Sequence, residues 1–427
     1  MMSARLALTV GAVLRVLAAV VLLALPQHFP MRDYDVVAPP DLTWGERVLH
    51  RPRYAPIAED ETAYDALARS LARGDGLVLE RHWVIARAGE PTAYGGALYP
   101  MFVAAIYKVT GGLFPPVVAL QLILSIAAVY GVGRIGAFVG GRTTEVLAAW
   151  GAALHPGLVM APSLMMTEAL SVPGAVAIVL AAKAWLDAPT ARRAALCGLL
   201  VGAAFLIRSP LGLMALAVNG AALLVRWKRH AGEARSLLQQ AGIALATAAV
   251  VVAPWVARNE ARYDRFVLSD TKAGVNLWAF NRPPEAPGWP NVDHLNEAER
   301  DAHFRALARR NIARYPGWFA ATTLSRALRY WWPVPRRAVN VVHWMGVGVY
   351  ALATLLAMLG VVLLLRRLRR FGPEWLVAAG VAVTWGLSTI TAVGLRHRLT
   401  GEPLLMVCAG LALATLLVAR WPALERR

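Results

Sequence analysis

The chain has 427 residues, 58% of them hydrophobic and 16% charged, and its mean hydropathy of +0.49 comes from repeated apolar blocks near the ~20 residues that span a bilayer. That excludes a soluble globular enzyme and predicts an all-α polytopic membrane protein. The formal net charge of +18 would suggest nucleic acid in a soluble chain, but the bases concentrate in short connections such as Arg226-Trp227-Lys228-Arg229 and Arg366-Arg367-Leu368-Arg369-Arg370, which read as cytoplasmic anchors, so no nucleic-acid partner is expected.

In chain order, the block from Leu6 to Leu25 follows a basic start and has no small-x-small cleavage site before Pro26-Gln27-His28, so it is read as a retained anchor over residues 1–28. Arg15 lies inside it; snorkelling or pairing in the bundle is the plain reading, a phosphate-binding role the alternative. A first external loop is predicted over 29–114. It carries Ala58-Glu59-Asp60-Glu61-Thr62-Ala63-Tyr64, which opens an amphipathic helix with Ala63, Tyr64, Leu67, Ala68 and Leu71 on one side, Arg69 and Arg73 in its last turn and Gly74 at its end. Such a helix suits a membrane surface. The short apolar stretch 98–109 reads as in-plane or re-entrant.

A transmembrane core is predicted over 115–257, with spans near 115–138, 143–160, 168–187, 193–207, 210–228 and 237–257. A second external loop covers 258–339, and C-terminal helices cover 340–427, with spans near 340–365, 374–394 and 403–420. With the anchor this makes about ten spans. The basic connections put both termini inside and direct 29–114, the Pro156–Glu168 turn, 258–339 and Arg396–Pro403 outward. In the second loop, Asn296 and Glu299 form a capping pair for a helix whose apolar positions are Ala298, Ala302, Leu307 and Ile312, ending at Tyr315-Pro316-Gly317. Trp318, Trp331, Trp332 and Trp344 cluster where the chain re-enters lipid and read as an interfacial belt, with sugar stacking the alternative. Cys197 and Cys408 fall within apolar blocks and read as small buried side chains.

The outward segments hold the charges that bear chemistry. Asp60 and Glu61 serve either the helix N-terminus, through capping and the macrodipole, or a reaction as carboxylates. Glu168 after Thr167 has the same two readings. Arg208, in an Arg-Ser-Pro turn between apolar spans, must meet a phosphate, a carboxylate or water. Arg258, Lys272, Arg396 and Arg398 are further cations on that side, either interfacial anchors or phosphate ligands.

The ordered set Asp60-Glu61-x-x-Tyr64, Glu90-Pro91, His155-Pro156 followed by Thr167-Glu168, Arg208-Ser209-Pro210, Pro254-Trp255-x-x-Arg258-Asn259, Gly274-x-Asn276-Leu277-Trp278 and Arg396-x-Arg398 before Pro403 resembles the polyprenyl-phosphate-sugar-dependent glycosyltransferases of the GT-C fold. The resemblance is to the bacterial branch related to protein O-mannosyltransferases and lipid A aminoarabinose transferases. It implies a hexosyl or pentosyl transfer at the outer face of the bacterial cytoplasmic membrane, usually inverting, from a polyprenyl-phosphate sugar to a glycolipid, polysaccharide or protein acceptor. Asp60 matches the position of the general base, with Glu61 second. Arg208, Arg258, Lys272, Arg396 and Arg398 would hold the donor phosphate, and Glu168, Glu90 and His397 would serve the acceptor or a divalent metal, whose involvement stays open. One departure is Pro91, where lipid A-modifying relatives carry a lysine after the acid. The rival class is a transporter or flippase of a lipid-linked sugar, which would show internal repeats and mid-membrane ionisable residues.

Overall fold

The computed structural model describes residues 3–24, 43–54, 59–332, 341–391 and 395–421. Ala58, the Pro26-Gln27-His28 segment and the Trp344 side chain lie outside what is described. The chain is helical throughout its described residues, with isolated β-bridges only. In order, α1 is Ala4–Ala24, α2 Trp44–Leu49, α3 Arg51–Tyr54, α4 Glu59–Arg73, α5 Leu98–Thr110 and α6 Phe114–Leu154. Next come α7 Pro156–Met160, α8 Glu168–Asp187, α9 Ala191–Ile207, α10 Ser209–Arg229, α11 Ala234–Tyr263 and α12 Ala273–Phe280. The last are α13 Glu297–Arg314, α14 Pro316–Trp331, α15 Val341–Arg367, α16 Glu374–Ile390, α17 Leu395–Arg398 and α18 Glu402–Arg420.

Among the described residues, seven helices are long and apolar enough to cross a membrane: α1, α6, α8, α10, α11, α15 and α18. The ten stretches counted in the sequence fall on these and on α9 and α16, which have 17 residues each, with α6 taking two of them. The 41-residue α6 is not straight: Gly140 and Gly141 leave helical geometry, Gly141 at φ +78° and ψ −169°. A Cβ placed on Gly133 would lie 3.3 Å from that of Ala149, although residues that far apart on a straight helix would be separated by roughly 24 Å. The element therefore turns back on itself, with Arg142 at the turn. Helix α5 has 13 residues, about 20 Å of rise, less than the hydrocarbon thickness of about 30 Å.

The bundle closes on α18, whose residues Leu404 to Ala412 are buried all round. Small residues let its neighbours approach, as expected where lipid offers no hydrophobic drive between helices. A Cβ on Gly360 of α15 would overlap the Cys408 carbonyl, and one on Gly410 would press on the Ala148 backbone of α6. Gly198 of α9 meets Ala244 of α11 in the same way. Arg15, 1% exposed, turns into the bundle. Its guanidinium donates to Ser125 Oγ at 2.8 Å and to the Gly11, Ala152 and Ala153 carbonyls, two of which are end groups that α6 leaves unpaired before Pro156. That is the bundle-pairing reading, with the phosphate alternative removed from this side chain.

The segments on either side of the 115–257 core pack on each other and form a second apolar cluster that includes Tyr64, Leu67, Tyr99, Phe114, Trp255, Trp278 and Phe304. Helix α4 buries Ala63, Tyr64, Leu67 and Ala68 as its pattern predicts, and Gly74 follows it at φ +94°. Helix α13 opens with the expected Asn296/Glu299 capping box and buries Ala298 with Leu307 partly buried beside it, as its pattern predicts, but the buried face is wider than the apolar positions read in the sequence. Ala302 is exposed, while Glu297, Arg300, Asp301, Phe304 and Ala308 are buried. The reason is hydrogen bonding. Glu297 accepts from Thr92 Oγ1 at 2.6 Å, Ala93 N at 2.9 Å and Thr271 Oγ1 at 2.5 Å, and Arg300 donates to the Ile85 and Val292 carbonyls. Satisfied polar groups of this kind can be buried where an apolar pattern alone would leave them outside. Burial raises the Glu297 pKa and pushes that of Asp301 up to about 6.

Candidate functional site

Four segments far apart in the chain deliver charges to one place. Asp60 stands in the first turn of α4, and Glu168 begins α8. Arg208 is held in an extended link between the end of α9 and the start of α10, where Pro210 favours helix initiation. Arg396 comes from the short α17. Arg396 Nη2 lies 2.6 Å from Asp60 Oδ2, and its Nε lies 3.2 Å from Glu168 Oε1. Arg208 Nη1 reaches the same Glu168 oxygen at 2.9 Å. Glu168 is 2% exposed at its side chain, against 21% for Asp60 and 37% for Arg396, so the buried acid orients two guanidinium groups whose outer edges remain accessible.

Lys272, just ahead of α12, closes another side. Its Nζ donates to Tyr64 Oη at 3.2 Å and stands 4.7 Å from the centre of the Tyr94 ring. Its backbone N–H donates to Asp270 Oδ1 at 3.1 Å, while Ser209 Oγ donates to Asp270 Oδ2 at 2.9 Å, which ties this loop to the start of α10. Burial alone would raise the Asp60 pKa, but the charges of Lys272 and Arg396 outweigh it and hold the carboxyl below its usual range. Burial opposes charge on Lys272 and Arg396 as well; the Tyr64 oxygen and Asp60 for the lysine, and Glu168 and Asp60 for the arginine, still raise both above their ordinary values. His397, next to Arg396, is exposed beside Phe280, ring centres 6.4 Å apart. The surrounding protein, with Arg208 and Arg396, lowers its pKa to about 4, so the imidazole is neutral near pH 7.

Other residues singled out in the sequence lie elsewhere. Glu61 is wholly buried and paired with Arg51, Oε1 to Nη2 at 2.6 Å and Oε2 to Nη1 at 3.0 Å, and it also accepts from Met165 N. Arg398 has other partners than Asp60 and Glu168: its Nε lies 2.6 Å from Glu402 Oε1, and it donates to the Tyr330 carbonyl and Thr354 Oγ1. Glu402 in turn meets Tyr350 Oη and lies 3.5 Å from His155 Nε2. Arg258 sits over the Trp255 ring at 5.0 Å and donates to Asn259 Oδ1. Glu90 is on the exposed rim, 3.1 Å from Arg262. Between Asp60 and Glu168 the positive charge is that of a guanidinium, and among the described residues no three His, Cys, Asp or Glu side chains converge as a metal's ligands would. Sequence reasoning did not find Arg51, Tyr94 or Asp270; the nearest signal was Arg51 lying shortly before the acidic run.

No protein-family model matches the sequence, and no curated protein matches it. Solved structures do resemble the fold. The archaeal oligosaccharyltransferase AglB from Archaeoglobus fulgidus, in complex with an inhibitory peptide and a dolichol-phosphate, superposes with a TM-score of 0.52 at 15% identity, over 97% of this chain and 51% of that one. The apo form of the Archaeoglobus fulgidus oligosaccharyltransferase gives 0.51 at 15% identity, over 97% and 52%. ArnT from Cupriavidus metallidurans bound to undecaprenyl phosphate gives 0.40 at 15% identity, over 92% and 77%. The chain spans about half the length of the oligosaccharyltransferase. At this identity the likeness is one of fold, and the architecture is the GT-C membrane bundle.

Proposed function

We propose that this protein is a membrane glycosyltransferase that moves a sugar from a polyprenyl-phosphate donor to an acceptor hydroxyl or amine at the outer face of a bacterial cytoplasmic membrane. The observation that carries the reading is the grouping of one accessible carboxylate, Asp60, with Arg208, Arg396 and Lys272 around a buried Glu168. The fold shared with AglB, a protein solved with a dolichol-phosphate, supports a lipid-phosphate donor.

In this mechanism the acceptor oxygen or nitrogen attacks the anomeric carbon, Asp60 takes the acceptor proton, and the bond from that carbon to the phosphate oxygen breaks, inverting the centre. The polyprenyl phosphate leaves with the bonding pair. Arg208 and Arg396, oriented by Glu168, and Lys272 meet the charge that develops on it. Guanidinium suits this task because one planar fork can give two hydrogen bonds to phosphate. Asp60 is held in its ionised form, so it is ready to accept a proton at neutral pH.

The test is to offer the purified protein a panel of polyprenyl-phosphate sugars with glycolipid, polysaccharide and peptide acceptors. Transfer, or slow release of sugar by water, is expected with at least one donor. Movement of a lipid-linked sugar across a bilayer with neither reaction would replace the reading with that of a flippase. A second expectation concerns Arg208→Ala, which removes a charge-assisted contact worth about 1.5–3 kcal/mol. Its affinity for polyprenyl phosphate should fall by roughly tenfold or more, measured by titration in nanodiscs; an unchanged affinity would leave Arg208 as a partner of Glu168 alone.

A further inference from the structure

We propose that Arg326 is a positioning residue for this site, clamping the end of the helix that follows Lys272 to the end of α16, against which the turn bearing Arg396 packs; the proposal rests on the donor-phosphate reading of those two cations. Arg326 lies on α14, is 9% exposed, and has no acidic partner among the described residues. Its donors go instead to two helix ends. Nη1 donates to the Phe280 carbonyl at 2.6 Å and Nη2 to Asn281 Oδ1 at 2.8 Å, both where α12 stops, while Nε donates to the Thr389 carbonyl at 2.7 Å where α16 stops. Asn281 completes the bridge from its own side: Nδ2 donates to Leu277 O at 2.8 Å and to Ile390 O at 2.9 Å.

The chemistry of those ends explains why an arginine is there. The last carbonyls of a helix have no partner within it and carry the negative end of its dipole. Two such ends meet at Arg326, and one rigid fork can serve both, which a lysine's point charge cannot do. Burying a guanidinium without a carboxylate is costly, so the arrangement persists through the hydrogen bonds it makes. Its geometric result is direct. Helix α12 carries Lys272 at one end and Phe280, beside His397, at the other. Arg396 is the neighbour of His397 in α17, which packs against α16. Fixing Phe280–Asn281 against the end of α16, with Phe280 beside His397 and α17 packed on α16, therefore fixes the separation of the two cations that flank Asp60. A misplacement of about 1 Å among such groups can cost about 10²-fold in rate.

The test uses the full-length protein in nanodiscs and compares Arg326→Lys, Asn281→Ala and the unaltered chain. Hydrogen exchange should rise together in 273–281 and 386–391 for Arg326→Lys, with affinity for polyprenyl phosphate about tenfold lower, and more mildly in both respects for Asn281→Ala. Reduced kcat with a raised donor KM, at an unchanged acceptor KM, is the kinetic signature that general loosening would not give. Exchange confined to α14, or loosening of both segments with donor affinity and transfer intact, would overturn the clamp. If the unaltered chain binds no polyprenyl phosphate, the functional reading fails, while the exchange comparison still decides whether Arg326 joins the two segments.

Discussion

Asp60→Asn is expected to lower sugar transfer by roughly 10²–10⁴-fold, the span typical for loss of a general base, with expression and fold retained. Asparagine keeps the shape and can still accept from Arg396, but it cannot take the acceptor's proton. Asp60 is on the accessible side of the cluster, 21% exposed at its side chain, so the change leaves no deeply buried charge behind. Arg396 stays paired with Glu168 through its Nε. Affinity for polyprenyl phosphate should therefore be unchanged or rise slightly, because one competing carboxylate is gone. The pH dependence follows from the sign of the shift. Asp60 titrates below the usual carboxylate range because Lys272 and Arg396 outweigh its burial. Its basic form is full at neutral pH, so kcat/KM should stay flat as pH falls from neutral and drop only when pH passes below that range. Single-turnover measurements with a fixed donor read the chemical step directly. Transfer within about tenfold of the unaltered protein, where a base should be worth at least 10², would assign the proton to another group.

The charges that converge were legible in the sequence for one reason. Glu168, Arg208 and Arg396 stand at the ends of apolar blocks, where an ionisable side chain has to find a partner or water. What was not legible was direction. Successive helical residues differ by about 100°, so Asp60 meets Arg396 at a partly exposed position while Glu61 turns into the protein toward Arg51. Arg396 and Arg398, two apart on a single turn, likewise go to Asp60 and Glu402. Helix α13 misled in another way, because its inward face adds to its apolar residues polar ones held by partners from a loop about 200 residues earlier in the chain. The reversal inside α6 could be anticipated from Gly140-Gly141-Arg142, since only glycine adopts that left-handed geometry without strain.

Glu61→Ala should separate the two neighbouring acids by acting on stability rather than on chemistry. Glu61 and Arg51 form a bidentate pair, each under 3% exposed at the side chain, and the carboxylate also accepts from Met165 N at 2.8 Å. Arg51 donates further to the Ser163 carbonyl and lies over the Phe114 ring, so the pair joins α3 and α4 to the turn that leads into Glu168. Removing one member of a buried pair strands the other charge without a partner, at a cost of about 3–5 kcal/mol. The unfolding midpoint in detergent, followed by tryptophan fluorescence, should drop clearly for Glu61→Ala and Arg51→Ala and stay near the unaltered value for Asp60→Asn. The double change Arg51→Met with Glu61→Leu should recover much of the loss, because exchanging a buried pair for apolar side chains of similar size is often neutral or stabilising. Activity should return with it, since both charges are buried against each other and neither pairs with Asp60, Glu168, Arg208 or Arg396. A Glu61→Ala protein that melts like the unaltered one yet transfers no sugar would instead make Glu61 part of the reaction.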